Sequence, residues 1–474
     1  MIRRIARLAA CVVALDVSHA ASVRAHGQPA LEVPEILAAV DRAFPLIEAA
    51  RHDQDQAEAV VTEARGAFDL KFKGEVDTLQ GYYGNDRFKG TLEQPLTALG
   101  ITAYGGYRVG RGTFAPYDEK ALTLSDGEFS GGLVLPLLRD RAIDGRRATL
   151  RVSEIGVQVS AQAVSKTRLT FFKDAAKLYW DWVASARQLA VARGLLELAE
   201  RRDADLAEAV ALGQVAPVER TDNVRAILQR RSALVTAQRV VEASAIALSL
   251  YYRGPDGRPI RPPITRIPDT FPDPAPLSAA DEDTAVTLAV AQRPEVLALR
   301  LKREQQRTEL QVAANTLLPS LNLFADLSRD VGGGRPSRAG SEFAGGLRVE
   351  LPFQRRKASG KVGQATAKLG ALDAELRFAE DRVRADVQDT ASAVRAAYAA
   401  VEIVRQELAV ARDLEGLERD RFQLGDSTQF LVNLRELNTA DAAFREVKAL
   451  ADYQKARVEF EAASGLLLDR VATP

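Results

Sequence analysis

The chain has 474 residues, and its 64 Lys and Arg residues balance its 64 Asp and Glu residues. A balanced charge provides no global field that would favour nucleic acid or an acidic substrate. No apolar run reaches the roughly 18 residues of a transmembrane helix, so only barrel strands are expected to cross a bilayer. The single Cys cannot form an intrachain disulfide, and no catalytic, cofactor-binding or metal-ligating pattern is present, so the chain is not predicted to be an enzyme.

Residues 1–25 have the pattern of a secretory signal peptide. Three arginines precede an apolar run at 8–15, and small residues suited to cleavage follow it. The sequence Leu8-Ala9-Ala10-Cys11 also matches a bacterial lipoprotein processing site, so lipidation of Cys11 is an alternative. Both interpretations predict an exported protein.

From residue 31 onward the sequence forms two repeats, 31–254 and 277–468, joined by a Pro-rich linker at 255–276. Each repeat begins with a helical pattern, continues with short strands and ends with long helices. A Gly-Gly pair that leads through an alternating strand to a Pro occurs in both, at 131–136 and 345–352. Self-similarity on this scale predicts one duplicated structural unit.

Barrel strands are predicted at about 67–136 and 319–352, where the hydrophobic period changes to two. This alternation fits both a strand of an ordinary soluble sheet and a barrel strand with lipid on one side. Further strand-like sequence at 86–114 fits either a longer hairpin or an elaborated surface loop. The predicted lipid-facing residues of the first strand are Phe68, Leu70, Phe72 and Val76.

The long helices are predicted at about 148–212 and 361–424, where apolar residues alternate steps of three and four. The first would be on the order of 95 Å long at 1.5 Å per residue. A Leu-Gly step ends each helix, and a shorter helix then returns, at about 217–253 and 428–466. By itself this pattern also fits a solvated coiled-coil stalk without a transport role.

The four principal predicted strands are too few to close a barrel, since about eight is the minimum. An open sheet edge in lipid would leave backbone groups unpaired at several kcal/mol each. Several chains are therefore expected to pool their strands, and three copies would supply twelve.

The duplicated helix–strand–strand–helix–helix order, the Gly-Gly-to-Pro strand ends and the two Leu-Gly tips resemble the TolC family of outer-membrane efflux proteins. The resemblance implies an α+β membrane protein with long α-helical coiled-coil hairpins and a trimeric twelve-stranded β-barrel, four strands per chain. It implies a location in the outer membrane of a Gram-negative bacterium, with the helices forming a tunnel through the periplasm.

The implied function is the exit duct of a tripartite efflux pump, through which small molecules pass passively to the exterior. The implied partners are two other copies of the chain, outer-membrane lipid, a periplasmic adaptor and an inner-membrane RND or ABC transporter, with no nucleic acid. The outer-membrane component of a type I protein secretion system is an alternative. From another class, a periplasmic adaptor or a structural coiled-coil envelope protein is a second alternative.

The same resemblance assigns roles to the two hairpin tips, where adaptor hairpins are expected to dock. Glycine at each reversal permits the positive φ that the turn needs. A simple tight turn without docking is the alternative. The residues concerned are Leu212, Gly213 and Val215 at the first tip and Leu424, Gly425 and Ser427 at the second.

Family members carry carboxylates just after the tips that line a periplasmic aperture. Glu219 and Asp222 fit this position and share one helix face. The alternative is a solvated acidic pair beside nearby arginines. After the second tip, Leu431 and Leu434 occupy the positions where family members often have an acidic pair. The resemblance therefore does not identify the residues that would lock the aperture in this chain.

Overall fold

The computed structural model describes residues 29–471. The predicted signal peptide and Cys11 lie outside these residues. No helix in the described part of the chain is long and apolar enough to cross a membrane.

The first repeat consists of two short helices, four strands and a long helical hairpin. Its elements in chain order are α1 (Val33–Ala43), α2 (Pro45–Arg65), β1 (Lys71–Leu79), β2 (Asn85–Pro95), β3 (Thr102–Gly112), β4 (Glu128–Pro136), α3 (Gly145–Ala211) and α4 (Pro217–Ser249).

The second repeat has the same order of helices but only two strands. Pro45 and Pro294 each begin the second short helix of their repeat, where a backbone N–H would lack an intrahelical acceptor. Both repeats therefore bend at the same point. The elements of the second repeat are α5 (Ala279–Gln292), α6 (Pro294–Asn315), β5 (Ser320–Asp330), β6 (Ser341–Glu350), α7 (Arg356–Gln423) and α8 (Gln429–Ser464).

The long helices confirm the predicted hairpin architecture. Helix α3 has 67 residues and α7 has 68, so each is about 100 Å long at 1.5 Å per residue. Each packs along the shorter helix that follows it. In α7 the buried positions recur at heptad spacing, which explains why a helix of this length keeps one face against its neighbours. These positions include Val387, Val394, Val401 and Leu408.

The largest hydrophobic core lies midway along the first hairpin. Phe172, Tyr179 and Trp182 of α3 are buried there against α1 and the end of α4. The linker packs onto this region, because the Phe271 ring stacks on Trp180 with centroids 5.9 Å apart. Chain segments that join the repeats thus help to hold the two hairpins together.

A buried arginine fixes the linker to the first helix. The guanidinium Nη2 of Arg266 donates to Glu35 Oε2 at 2.7 Å, and Arg266 Nε donates to the carbonyl of Pro29 at 2.8 Å. The guanidinium, together with the hydroxyl of Tyr252, holds the pKa of the Glu35 carboxyl below its ordinary value. The pair therefore stays ionised near neutral pH.

The six strands form one antiparallel sheet in the order β1-β2-β3-β4-β5-β6. The prediction of four strands per chain is wrong, because the strand-like sequence at 86–114 supplies β2 and β3. Their signal was weak because Gly90, Gly105, Gly106 and Gly110 interrupt the hydrophobic alternation. The second repeat lacks this extra hairpin.

The register gives the sheet two chemically distinct faces. On one face Phe72 lies opposite Leu92, and Val76 lies opposite Phe88. The alternation continues without a slip to the last strand, which aligns apolar residues across all six strands. This apolar face comprises Phe72, Val76, Phe88, Leu92, Tyr107, Val109, Phe129, Leu133, Leu323, Leu327, Phe343, Leu347 and Val349.

The opposite face, called the polar face, carries the charged residues. The Tyr104 hydroxyl donates to Asp326 at 2.9 Å across three strands, and Lys73 pairs with Glu93 on the neighbouring strand. The polar face also includes Glu75, Arg87, Arg108, Glu128 and Arg348.

Two of the predicted strand residues precede the sheet. Phe68 lies in a single 3₁₀ turn that follows α2, and β1 begins only at Lys71, after Leu70. The alternation of apolar and charged residues continues through this turn, so the sequence pattern could not mark the start of the strand. Phe72 and Val76 lie in β1 on the apolar face.

Candidate docking tips and aperture of the helical hairpins

Both hairpin tips have the same backbone geometry. Gly213 has φ +70° and Gly425 has φ +83°. After α3 the Gln214 N–H donates to the Ala209 carbonyl at 2.9 Å, and the Gly213 N–H donates to Val210 at 3.0 Å. This pair of bonds is a Schellman motif, and the N–H groups of Asp426 and Gly425 repeat it after α7. The glycines therefore serve the turn itself, in both repeats.

The leucine before each glycine projects from the tip. Leu212 is 63% exposed and Leu424 is 79% exposed, although both are large apolar side chains. Val215, the other apolar candidate, is half-buried. Each tip therefore presents one large apolar side chain to solvent at the same position of the turn.

Ser427 serves its own hairpin. Its hydroxyl donates to the carboxylate of Glu418, one of the last buried residues of α7. This hydrogen bond, with Arg421 and Arg435 nearby, holds the pKa of the Glu418 carboxyl below its ordinary value. The second tip is thereby fastened to the helix that precedes it.

The two carboxylates after the first tip have different surroundings. Glu219 lies in the first turn of α4 and forms no ion pair with another described residue. Asp222 Oδ1 accepts from Arg225 Nη2 at 2.9 Å, and Asp222 Oδ2 lies 3.5 Å from Asn433 Nδ2 on α8. Asp222 therefore has a cationic partner in Arg225, whereas Glu219 has none among the described residues.

A buried ion cluster, absent from the sequence predictions, joins the two hairpins near the tips. Glu436 of α8 is fully buried and pairs with Arg202 of α3 and Arg230 of α4. The Arg230 contact, Nη2 to Glu436 Oε2, measures 2.9 Å. One carboxylate thus connects three helices from both hairpins.

Further hydrogen bonds complete this cluster. Arg202 Nη1 donates to Asn433 Oδ1 at 2.8 Å, and Arg230 Nη1 donates to the Leu195 carbonyl at 2.9 Å. Arg419 of α7 lies 3.9 Å from Glu436 and adds a fourth helix. We call Arg202, Arg230, Asn433 and Glu436 the tip clasp.

The sequence did contain a signal for the tip clasp. Gln429, Asn433, Glu436 and Ala440 follow one another at steps of three and four, and all four are buried. A carboxylate on the stripe that faces the neighbouring helices needs a buried cationic partner. Which arginine supplies it depends on the relative rotation of three helices, and that rotation is a tertiary property.

No group of His, Cys, Asp and Glu side chains within residues 29–471 is arranged to hold a metal ion.

Comparison with known proteins agrees with this architecture. Residues 285–466 match the outer membrane efflux protein family. This match covers most of the second repeat. The resemblance inferred from the repeats and tips is thereby confirmed.

Solved structures extend the match to the fold of nearly the whole chain. The open-state MtrE outer membrane channel of Neisseria gonorrhoeae superposes with a TM-score of 0.62 at 14% identity, covering 91% of this chain and 88% of that one. The CmeC outer membrane channel of Campylobacter jejuni gives 0.59 at 15% identity, covering 97% and 94%. The outer membrane protein VceC of Vibrio cholerae gives 0.60 at 14% identity, covering 91% and 96%. No curated protein shows significant sequence similarity to the chain.

We expect the tip clasp to stabilise the contact between the hairpins. Glu436→Gln leaves Arg230 buried without a carboxylate, so the free energy of local opening should fall by about 3–5 kcal/mol. The matched control is Glu407→Gln, because Glu407 forms an exposed pair with Arg445 at 2.7 Å. That change should cost only about 0–1 kcal/mol.

The measurement is hydrogen exchange of the amides around 199–206 and 430–438, which reports the free energy of local opening. Equal protection in the two variants would show that the tip clasp contributes nothing beyond a surface ion pair.

Proposed function

We propose that the chain is the outer-membrane channel that forms the exit duct of a tripartite efflux pump. The observation that carries this proposal is a single sheet with one apolar face, joined directly to two helical hairpins about 100 Å long. The sheet lies in the outer membrane and the hairpins extend through the periplasm. The duct is passive and carries out no reaction.

The sheet has the dimensions and chemistry of a membrane-spanning barrel wall. Its strands have 9–11 residues, as a tilted strand needs to cross the hydrocarbon core. Val76 is 75% exposed and Phe343 is 74% exposed, both on the apolar face. A water-soluble sheet rarely exposes such a continuous apolar surface.

The two sheet edges require further copies of the chain. In the single chain β1 and β6 each pair with one neighbour, so one side of each strand has free backbone groups. In lipid these groups must be paired, and β6 of one copy next to β1 of the following copy pairs them. Three copies, the number in the TolC family, would close eighteen strands instead of the twelve expected from four strands per chain.

The partners of the duct belong to the same proposal. We infer a periplasmic adaptor and an inner-membrane RND or ABC transporter as partners, with small molecules as cargo. A type I protein secretion system would use the same duct, so it stays the second candidate. The apolar face of the sheet argues against an adaptor or a structural envelope protein, because neither needs a surface for lipid.

The membrane assignment is tested by one substitution at two adjacent positions of β1. Val76→Arg puts a charge on the apolar face near mid-strand and should cost about 2–4 kcal/mol of assembly free energy. Glu75→Arg, on the polar face, is the matched control, and its effect on the assembly free energy should be small. Outer-membrane yield and mass in mild detergent report the result, and the unchanged chain should be a trimer. A monomer in the outer-membrane fraction, or equal yields of the two variants, would contradict the proposal.

We propose that the exposed leucines of both tips dock the adaptor. Leu212→Gln together with Leu424→Gln removes apolar surface but leaves the Schellman turns unchanged. The free energy of unfolding should therefore change by less than about 0.5 kcal/mol. Dye efflux by cells of the native host should fall, while the trimer should still form. Leu228→Gln is the control, since Leu228 is 60% exposed on α4 away from the tip. Normal efflux in the double variant would leave the tips as turns only.

We propose that Glu219 and Asp222 line the periplasmic aperture. Three copies would place up to six carboxylates around the opening, which favours cations over anions. Glu219→Ala should lower cation selectivity more than Asp222→Ala, because Arg225 already neutralises part of the Asp222 charge. The double variant should also lose block by multivalent cations.

Reversal potentials of reconstituted channels in a salt gradient measure this selectivity, and Glu242→Ala, far from the tip on α4, is the control. Unchanged reversal potentials in the double variant would place both carboxylates away from the pore.

A further inference from the structure

The loop between β3 and β4 folds back over the sheet. This β3–β4 loop, residues 113–127, lies at the end of the sheet away from the helices, because β3 runs outward and β4 returns toward α3. Phe114, Ala115, Thr123 and Leu124 in the loop are all buried. A loop that extended into solvent would leave such residues exposed.

The loop lies on the polar face. Arg87 and Arg108, both on that face, hold it from β2 and β3. Arg87 pairs with Asp118, and its guanidinium lies 5.2 Å from the centre of the Phe114 ring. Arg108 Nη1 donates to the Lys120 carbonyl at 2.9 Å. Arginines that stabilise the sheet thus also fix the position of the loop.

Gly110 provides the space for this contact. A Cβ atom at Gly110 would lie 2.1 Å from the Ala121 carbonyl oxygen and 3.2 Å from the Phe114 ring. The Thr123 N–H also donates to the Gly110 carbonyl at 3.3 Å. Any side chain at this position would therefore push the loop away from the sheet.

The β3–β4 loop also forms hydrogen bonds and an ion pair with the β5–β6 loop, residues 331–340. Arg338 donates to the carbonyls of Leu122 at 2.6 Å and Glu119 at 2.7 Å. Arg335 pairs with the Glu119 carboxylate at 3.2 Å, and the Ser125 N–H donates to Gly333 at 3.1 Å. Contacts from both repeats hold the loop over the polar face.

We propose that the β3–β4 loop is a constriction loop that sets the largest solute able to pass the outer mouth of the channel. The inference rests on the proposed function, since the polar face borders the pore only if the apolar face meets lipid. Two extra strands per chain widen the barrel, and the loop that they carry occupies part of the added lumen. The hairpin and its loop therefore form one unit, which the second repeat lacks.

The test measures access to a thiol placed beneath the loop. Ser328 lies on the polar face of β5, opposite Ser130, and Cys11 is the only natural cysteine. Intact cells that display Ser328→Cys are treated from outside with membrane-impermeant maleimides of increasing size, and the chain without the new cysteine gives the background. A small reagent should label the thiol quickly, and large poly(ethylene glycol) maleimides should label it slowly.

Two changes remove the constriction. Gly110→Val displaces the loop, and replacement of residues 115–122 by a short Gly-Ser linker removes it even if the valine variant folds poorly. Each should speed labelling by large reagents while leaving the small reagent unchanged. Gly105→Val is the matched control, because Gly105 lies on the apolar face of the same strand with 3.7 Å of clearance.

The possible outcomes separate the two proposals. Fast labelling by large reagents with the loop intact, or no change after its removal, would overturn the constriction. If no reagent labels Ser328→Cys after loop removal but Leu327→Cys is labelled, the faces are reversed and the proposed function fails as well.

Discussion

The unpaired backbone groups at the edges of the sheet constrain the whole assembly. A strand edge in water is hydrated, but an edge in lipid has no acceptor or donor unless another strand supplies it. In the proposed channel the apolar face brings β1 and β6 into lipid, where the chain is stable only within a closed ring of copies. The helices must then follow the geometry of this ring, because α2, α3, α6 and α7 connect directly to the strands.

The helices satisfy this constraint through long, continuous apolar stripes. Burial at heptad spacing along α7 keeps the same face against α6 and α8 over most of its length. Aromatic residues then concentrate at the middle, where Trp182 and Phe172 meet the short helices and the linker. Apolar burial of about 1.5–3 kcal/mol for each large side chain makes this middle zone the most stable part of the hairpins.

Periodicity explains what the sequence could predict. The long helices, their Leu-Gly ends and the alternation of β1, β5 and β6 depend on local patterns, and each is present in the structure. The β2–β3 hairpin was ambiguous because its glycines weaken a period of two. The tip clasp and the folded β3–β4 loop depend on contacts such as Arg230 with Glu436 and Arg338 with Glu119, which join residues about 200 positions apart. No local pattern encodes such pairings.

The middle and the tips of the hairpins differ in the free energy needed to separate their packed helices. At the middle, separation would expose Trp182 and Phe172 to water without any compensating hydration. Near the tips it would expose Glu436, Arg202 and Arg230, whose hydration offsets much of the lost attraction. The fully buried Gln429 already lacks a hydrogen-bond partner for both amide atoms within the described residues, so exposure there regains hydrogen bonds to water. Separation of the helices is therefore most costly at the middle of the hairpins and least costly at the tips, which is where the proposed channel would have to open to admit cargo.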